Sequence, residues 1–182
     1  MALSQPDEAL LRRAQLGDEH AFSLLMRQYE LPVFNYVLRS LGNHHLAEDL
    51  TQEIFLRAFR NLPHFSFRSK FTTWLFAIAK NRVLDEVRAS ARRPSVVDLD
   101  DVPPPPAPGM PFERRATLEA LWDAVQSLDV ELKMPLLLRD VVGLSYREIA
   151  DSLGISLATV KWRIYTAREK VKLALEREEA IA

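Results

Sequence analysis

The 182-residue chain contains no cysteine. That absence excludes disulfides, thiolate metal sites and a cysteine nucleophile. Histidine is scarce as well, with only His20, His44, His45 and His64. His44 and His45 are adjacent, so on a helix they point apart and do not make a chelate. There is no P-loop, no G-x-S-x-G and no pair of histidines at metal-binding spacing. No enzyme, metal site or other cofactor is therefore expected. No apolar run reaches membrane-spanning length, and Met1–Pro6 lacks the pattern of a signal peptide. The simplest expectation is a soluble cytoplasmic protein. The chain also lacks a dominant charge: its net charge of −1 argues against a uniformly basic nucleic-acid binder. Any affinity for DNA must come from local patches.

Such patches are present. The stretch Leu144–Arg163 reads as two short helices joined by a tight turn. Ser145 and Glu148 form an S-x-x-E capping box that satisfies two orphan backbone donors at the first helix start. Tyr146, Ile149, Ala150 and Leu153 fall on one face. Gly154 supplies the conformation that a helix ending in a sharp turn needs, and Ser156 can cap the second helix. Val160, Ile164, Ala167 and Val171 then make a buried stripe. Thr159, Lys161, Trp162, Arg163, Tyr165 and Arg168 are left facing away from it. This is the layout of a helix-turn-helix reader of the major groove, and its basic groups can neutralise phosphates or pair with base edges. An ordinary helical hairpin with a solvated basic face is the alternative.

No β-type alternation persists anywhere, so the fold class is all-α. The acidic, proline-rich stretch Asp98–Gly109 cannot be helix or central strand and reads as an extended connector. It divides the chain into a four-helix domain at 1–93, a linker at 94–111 and a helix-turn-helix domain at 112–182. In the first domain Leu10, Leu11 and Ala14 give a short helix closed by Gly17. A second carries Ala21 to Val37, with a kink expected at Pro32. A third runs from about His45 to Leu62, and a fourth from about Ser69 to Ala91.

The segment between the third and fourth helices mixes rings with cations: Phe65, Phe67, Arg68, Lys70, Phe71 and Trp74, with Ser66, Ser69, Thr72 and Thr73 as small hydrogen-bonding groups. Lys80, Asn81, Arg82, Arg88, Arg92 and Arg93 follow. Interleaved rings and bases suit unpaired nucleic acid, although core packing would explain some of the rings, Phe71 above all. At the start of the third helix Glu48, Asp49, Gln52 and Glu53 form an acidic and amide patch. Electrostatics at a helix N-terminus and a docking surface for a protein both account for it.

With these residues in hand, the chain resembles the extracytoplasmic-function group of bacterial sigma factors from about Asp7 to Leu175. Ala47–Phe59 looks like the family's polymerase-docking helix. Phe71–Arg82, followed by Asp85, Arg88, Arg92 and Arg93, looks like its promoter-opening segment. Leu136–Tyr146 leads into the family's helix-turn-helix. The resemblance implies core RNA polymerase and promoter DNA as partners, with an anti-sigma factor as a further one. Its N-terminal domain is implied to bind the β′ clamp helices through Glu48, Asp49, Gln52, Glu53 and Leu56. The same domain is implied to read the −10 element through Phe65, Ser66, Arg68, Ser69, Lys70, Thr73, Trp74, Lys80, Asn81, Arg82 and Arg88. Its C-terminal domain is implied to bind the β flap and read the −35 element through Arg147, Ser156, Leu157, Ala158, Thr159, Lys161, Trp162, Arg163, Tyr165 and Arg168. Two positions depart from the family's common S-x-G-T-V-K-S-R pattern: Ala158 stands for the glycine and Trp162 for the second serine. A free-standing helix-turn-helix regulator with an unrelated N-terminal sensor is the competing reading. The Phe65–Arg93 segment, for which a sensor has no use, separates the two. A purely protein-binding helical module is a third, and would survive neutralisation of the basic recognition face.

Overall fold

The computed structural model describes residues 3–92 and 112–179. Among them are eight helices and no strand. They are α1 (Glu8–Gln15), α2 (Glu19–Leu41), α3 (His44–Asn61), α4 (Phe71–Ser90), α5 (Phe112–Gln126), α6 (Val130–Asp140), α7 (Tyr146–Leu153) and α8 (Leu157–Glu179). A single 3-10 turn, Leu62–His64, follows α3. The expected connector at 94–111 lies outside the described residues.

Short polar side chains set the helix starts. Asp7, Asp18 and Asn43 accept from the backbone amides of Leu10, Ala21 and Leu46 at 3.0, 3.0 and 2.8 Å, each satisfying a donor that the first turn leaves open. The capping box at Ser145 and Glu148 is present in both directions. Pro32 lies inside α2 without ending it. The proline removes one helical hydrogen bond, while Tyr29, Val33, Tyr36 and Val37, all fully buried around it, anchor the helix. The fourth helix starts at Phe71 rather than Ser69, because the chain is extended at Lys70 (ψ 146°).

In the N-terminal half α1 to α4 enclose Leu25, Tyr29, Leu50, Ile54, Leu75 and Phe76. In the C-terminal half α6 and α8 pack together around Leu137, Leu138, Val160 and Ile164. Full burial of each such side chain stabilises by about 1.5–3 kcal/mol. The two halves also pack on each other. The Tyr36 hydroxyl donates to Met134 Sδ at 3.3 Å in the interior. Gln126 donates to the Arg39 carbonyl at 2.7 Å, while the Arg39 guanidinium lies 3.7 Å from the Trp122 ring centroid. The sequence reading contained no such contact.

Candidate nucleic-acid and polymerase interfaces

The helix-turn-helix is built as its residues require. Gly154 ends α7 in the left-handed region at φ 65°, a conformation that costs an L side chain strain. The Ser156 hydroxyl accepts from the Thr159 amide at 3.0 Å and contacts its hydroxyl at 2.7 Å. Ser156 and Thr159 thus spend their polar groups on starting α8. Val160, Ile164 and Ala167 are completely buried, as their stripe requires. On the opposite side Lys161, Trp162 and Tyr165 are exposed, the two rings by 61% and 67%. Ala158 and Leu157 stand beside them, and Arg147 is exposed on α7. The two arginines near the start of α8 are engaged elsewhere. Arg163 pairs with Glu131 of α6 at 2.7 Å, and Arg168 with Asp140 at 2.7 Å. Hydrogen bonding to Asp140 raises the Arg168 pKa. Solvent-facing pairs of this kind contribute only about 0–1 kcal/mol, so a phosphate can compete for either arginine.

The ring-rich segment before α4 divides sharply into inside and outside. Phe65 and Phe71 are buried. Phe65 sits against Phe67, Trp74 and Phe71 with ring centroids at 4.8, 5.3 and 6.1 Å. A ring held this way is part of the core and offers no free face to a base. Ser66, Arg68 and Ser69 are exposed at the loop crest. Thr73 is buried, and its hydroxyl has no hydrogen-bond partner among the described residues.

Several cations at the start of α4 and along it are occupied. Lys70 pairs with Glu148 of α7 at 3.0 Å, and Lys80 donates to the Ser152 carbonyl at 3.0 Å. Burial, with help from Arg88, pushes the Lys80 pKa down. Arg82 bonds Glu53 at 2.5 Å and Glu86 at 3.1 Å; burial opposes its charge, but the two carboxylates outweigh it and raise its pKa. Asn81 and Arg88 remain exposed, Arg88 lying 4.0 Å from Asp85.

On α3, Glu48, Asp49, Gln52, Glu53 and Leu56 are all exposed. Glu48 faces His44 and His45 at 3.7 Å each. Gln52 and Leu56 border a groove between α2 and α3 of about 470 Å³, whose walls also include Phe22, Met26, Phe55 and Phe59. The sequence reading stressed the acidic rim and missed these apolar walls, although Phe55, Leu56 and Phe59 at helical spacing signal them. It missed a second groove as well. Leu121, Trp122 and Val125 of α5, Leu136 and Val141 near α6, and Val171 and Leu175 of α8 line about 370 Å³.

The segments that carry these surfaces match known proteins. A family model described as Sigma-70 region 2 matches residues 25–93, and one described as Sigma-70, region 4 matches residues 118–171. The RNA polymerase sigma-H factor of Pseudomonas aeruginosa is 33% identical over 190 residues, covering 97% of each chain. The ECF RNA polymerase sigma-E factor of Escherichia coli K12 is 33% identical over 181 residues, covering 91% of this chain and 92% of its own. The chain belongs to the extracytoplasmic-function group of sigma-70 factors. Its fold agrees: the structure of CnrH in complex with the cytosolic domain of CnrY superposes with a TM-score of 0.73 at 27% identity, covering 94% of this chain and 97% of that one. The sigma factor RpoE of Bartonella quintana, solved with the anti-sigma factor NepR, shares the fold with a TM-score of 0.74 at 23% identity, covering 85% and 96%. The sigma factor is a promoter-specificity subunit for transcription initiation, with core RNA polymerase and promoter DNA as its partners. Region 2 spans most of α2, all of α3 and α4, and the ring-rich loop. Region 4 spans the helix-turn-helix and most of the second groove, whose Leu175 lies just beyond the match. No described helix is long and apolar enough to cross a membrane.

Proposed function

We propose that this sigma factor works in the cytoplasm, performs no catalysis of its own, and divides recognition between domains at 1–93 and 112–182 joined by the linker at 94–111. The α2–α3 groove, with Glu48, Asp49, Gln52, Glu53 and Leu56 at or beside it, takes the β′ clamp helices. The crest Ser66, Arg68 and Ser69, with Lys70, Lys80, Asn81 and Arg88, takes the opened −10 element. The start of α8 takes the −35 element in the major groove through Lys161, Trp162 and Tyr165, while Arg163 and Arg168 exchange their carboxylates for phosphates. The α5–α6–α8 groove takes the β flap. An anti-sigma factor is a further partner, a reading supported by the solved complex of the 27% identical CnrH with CnrY.

The observation that carries this reading is the back-to-back arrangement on α8. A fully buried Val160–Ile164–Ala167 stripe leaves Lys161, Trp162 and Tyr165 projecting from the second helix of a helix-turn-helix. The engaged state of Lys70 and Lys80 favours a sigma factor over a free-standing regulator. Both cations face α7, so −10 contacts require the halves to part, and docking on core polymerase supplies the driving energy. In vitro transcription with purified core polymerase over a genomic promoter library tests the proposal. It should yield promoters sharing a −10 and a −35 element. Transcription without shared elements, or tight binding of promoter duplex by the isolated protein, would replace it with the regulator reading.

A further inference from the structure

Helix α1 precedes the region 2 match, which begins at Leu25, yet it grips the loop before α4. The Gln15 side-chain amide donates to the Phe65 carbonyl at 2.7 Å and reaches those of Leu62 and Pro63 at 3.2 and 3.4 Å. One turn earlier the Arg12 guanidinium lies 4.5 Å from the Phe67 ring centroid. Glu8 holds that guanidinium with contacts of 2.9 and 2.6 Å. Leu11 and Ala14, buried on the other side, fix α1 to the core.

What α1 holds is strained. Phe67 has φ 58°, and it is the one non-glycine residue with positive φ among those described. A bulky side chain in that region is an outlier. Such a conformation persists only where its surroundings over-determine it, and it points toward a functional constraint. Here Arg12 covers the Phe67 ring, Phe65 packs beside it at 4.8 Å, and Gln15 ties down the backbone at Phe65. With Phe65 turned inward and Phe67 half-buried, Ser66, Arg68 and Ser69 are turned out.

We propose that α1 is a positioning element for −10 recognition: Gln15 and Arg12 hold the 65–69 loop in the strained shape that presents Ser66, Arg68 and Ser69 to an unpaired base. The proposal rests on that loop being the −10 surface. Gln15 and Arg12 do not touch DNA; they act through the loop.

The test uses holoenzyme reconstituted from core polymerase and full-length variants, on a promoter from the transcription assay. Binding is read on a fork template with a single-stranded −10 segment, alongside core affinity, −35 selection and thermal stability. Gln15→Ala and Arg12→Met should each lower fork binding roughly threefold to tenfold, the scale of one lost hydrogen bond. Core affinity and −35 selection should stay near wild type, and the melting temperature should fall by no more than about 2–4 °C, the scale of one lost hydrogen bond. Gln15→Lys, which restores a donor, should recover most of the loss. If Arg68→Ala weakens fork binding but the α1 variants do not, the loop reads DNA without α1 and the proposal fails. If Arg68→Ala has no effect either, the reading beneath it fails. If Gln15→Ala lowers core affinity, stability and fork binding together while Arg12→Met changes nothing, α1 is only scaffold and the proposal is overturned.

Discussion

The Lys80 ammonium donates to the Ser152 carbonyl at 3.0 Å, joining the helix proposed to open the promoter to the first helix of the helix-turn-helix. One bond would hold little. It is joined by the Lys70–Glu148 pair at 3.0 Å and by Gln126, which donates to the Arg39 carbonyl while its own carbonyl oxygens accept from the buried Lys133 at 2.8 and 3.1 Å. A few polar contacts thus join the two halves, beside the packing of α4 on α7 and of α2 on α5 and α6.

Removing two of those contacts should open the molecule. Gln126→Ala together with Glu148→Gln deletes one hydrogen bond between the halves worth about 0.5–1.5 kcal/mol and one ion pair between them worth about 0–1 kcal/mol, and also the Gln126 side-chain bond to Lys133 within the C-terminal half. The distance between fluorophores on α3 and α8 should lengthen in the isolated protein, with helicity unchanged. An unchanged distance would mean that the apolar contacts hold the halves together unaided.

The groove between α2 and α3 should behave as an apolar docking site with a charged rim. Leu56→Asp should weaken binding to core polymerase by roughly tenfold to a hundredfold, the equivalent of about 1.5–3 kcal/mol of lost burial, and leave the melting temperature near wild type. Glu53→Lys should instead lower the melting temperature as well, because it removes a partner from the largely buried Arg82. Co-purification with core polymerase and thermal melts separate the two.

On α8 the ion-paired arginines should separate from Lys161 and Trp162 in −35 selection. Trp162→Ala or Lys161→Ala should relax preference at a base pair at a cost of about 1–3 kcal/mol. Arg163→Ala and Arg168→Ala should weaken all sequences alike and flatten the salt dependence. Selection from a randomised −35 element at two salt concentrations reads both effects. Wild-type selection by all four variants would mean that this helix does not read DNA.

The buried Thr73 hydroxyl should trade stability against function. It has no partner among the described residues, so Thr73→Val should stabilise the fold by about 1 kcal/mol, raising the melting temperature by about 2–4 °C. If DNA uses that hydroxyl once the halves part, open-complex formation should fall in the same variant. Permanganate footprinting of unpaired thymines measures it, and an unchanged footprint would make Thr73 purely structural.

Acid should loosen the start of α7. Burial disfavours the Glu148 carboxylate, but hydrogen bonds from Ser145 and Lys70 outweigh it and hold its pKa below the ordinary glutamate range. The folded value is depressed, so the contribution is complete above the unfolded value of about 4.3 and is lost as pH falls through the folded value. Melting temperatures followed from about pH 7 to about pH 3 should drop less in Glu148→Gln than in wild type. Equal drops would place the acid sensitivity elsewhere.

The sequence by itself determined what depends on near neighbours. Helical spacing placed Val160, Ile164 and Ala167 on the buried side of α8, and they are fully buried. Ser145, Glu148 and Gly154 marked the ends of α7 because caps act within four residues. The all-α class and the family were legible for the same reason, in local patterns and in motifs of fixed order. Only the tertiary structure decided the fate of side chains whose partners lie far along the chain. Phe65 offers the same ring whether it faces solvent or core; contact with Trp74 and Gln15 turns it inward. Arg163 looks as available as Lys161 until α6 brings Glu131 to 2.7 Å. Lys70 and Lys80 look like open phosphate ligands until α7 packs on α4. The local pattern fixes which face of a helix a residue occupies, and long-range packing fixes what meets that face.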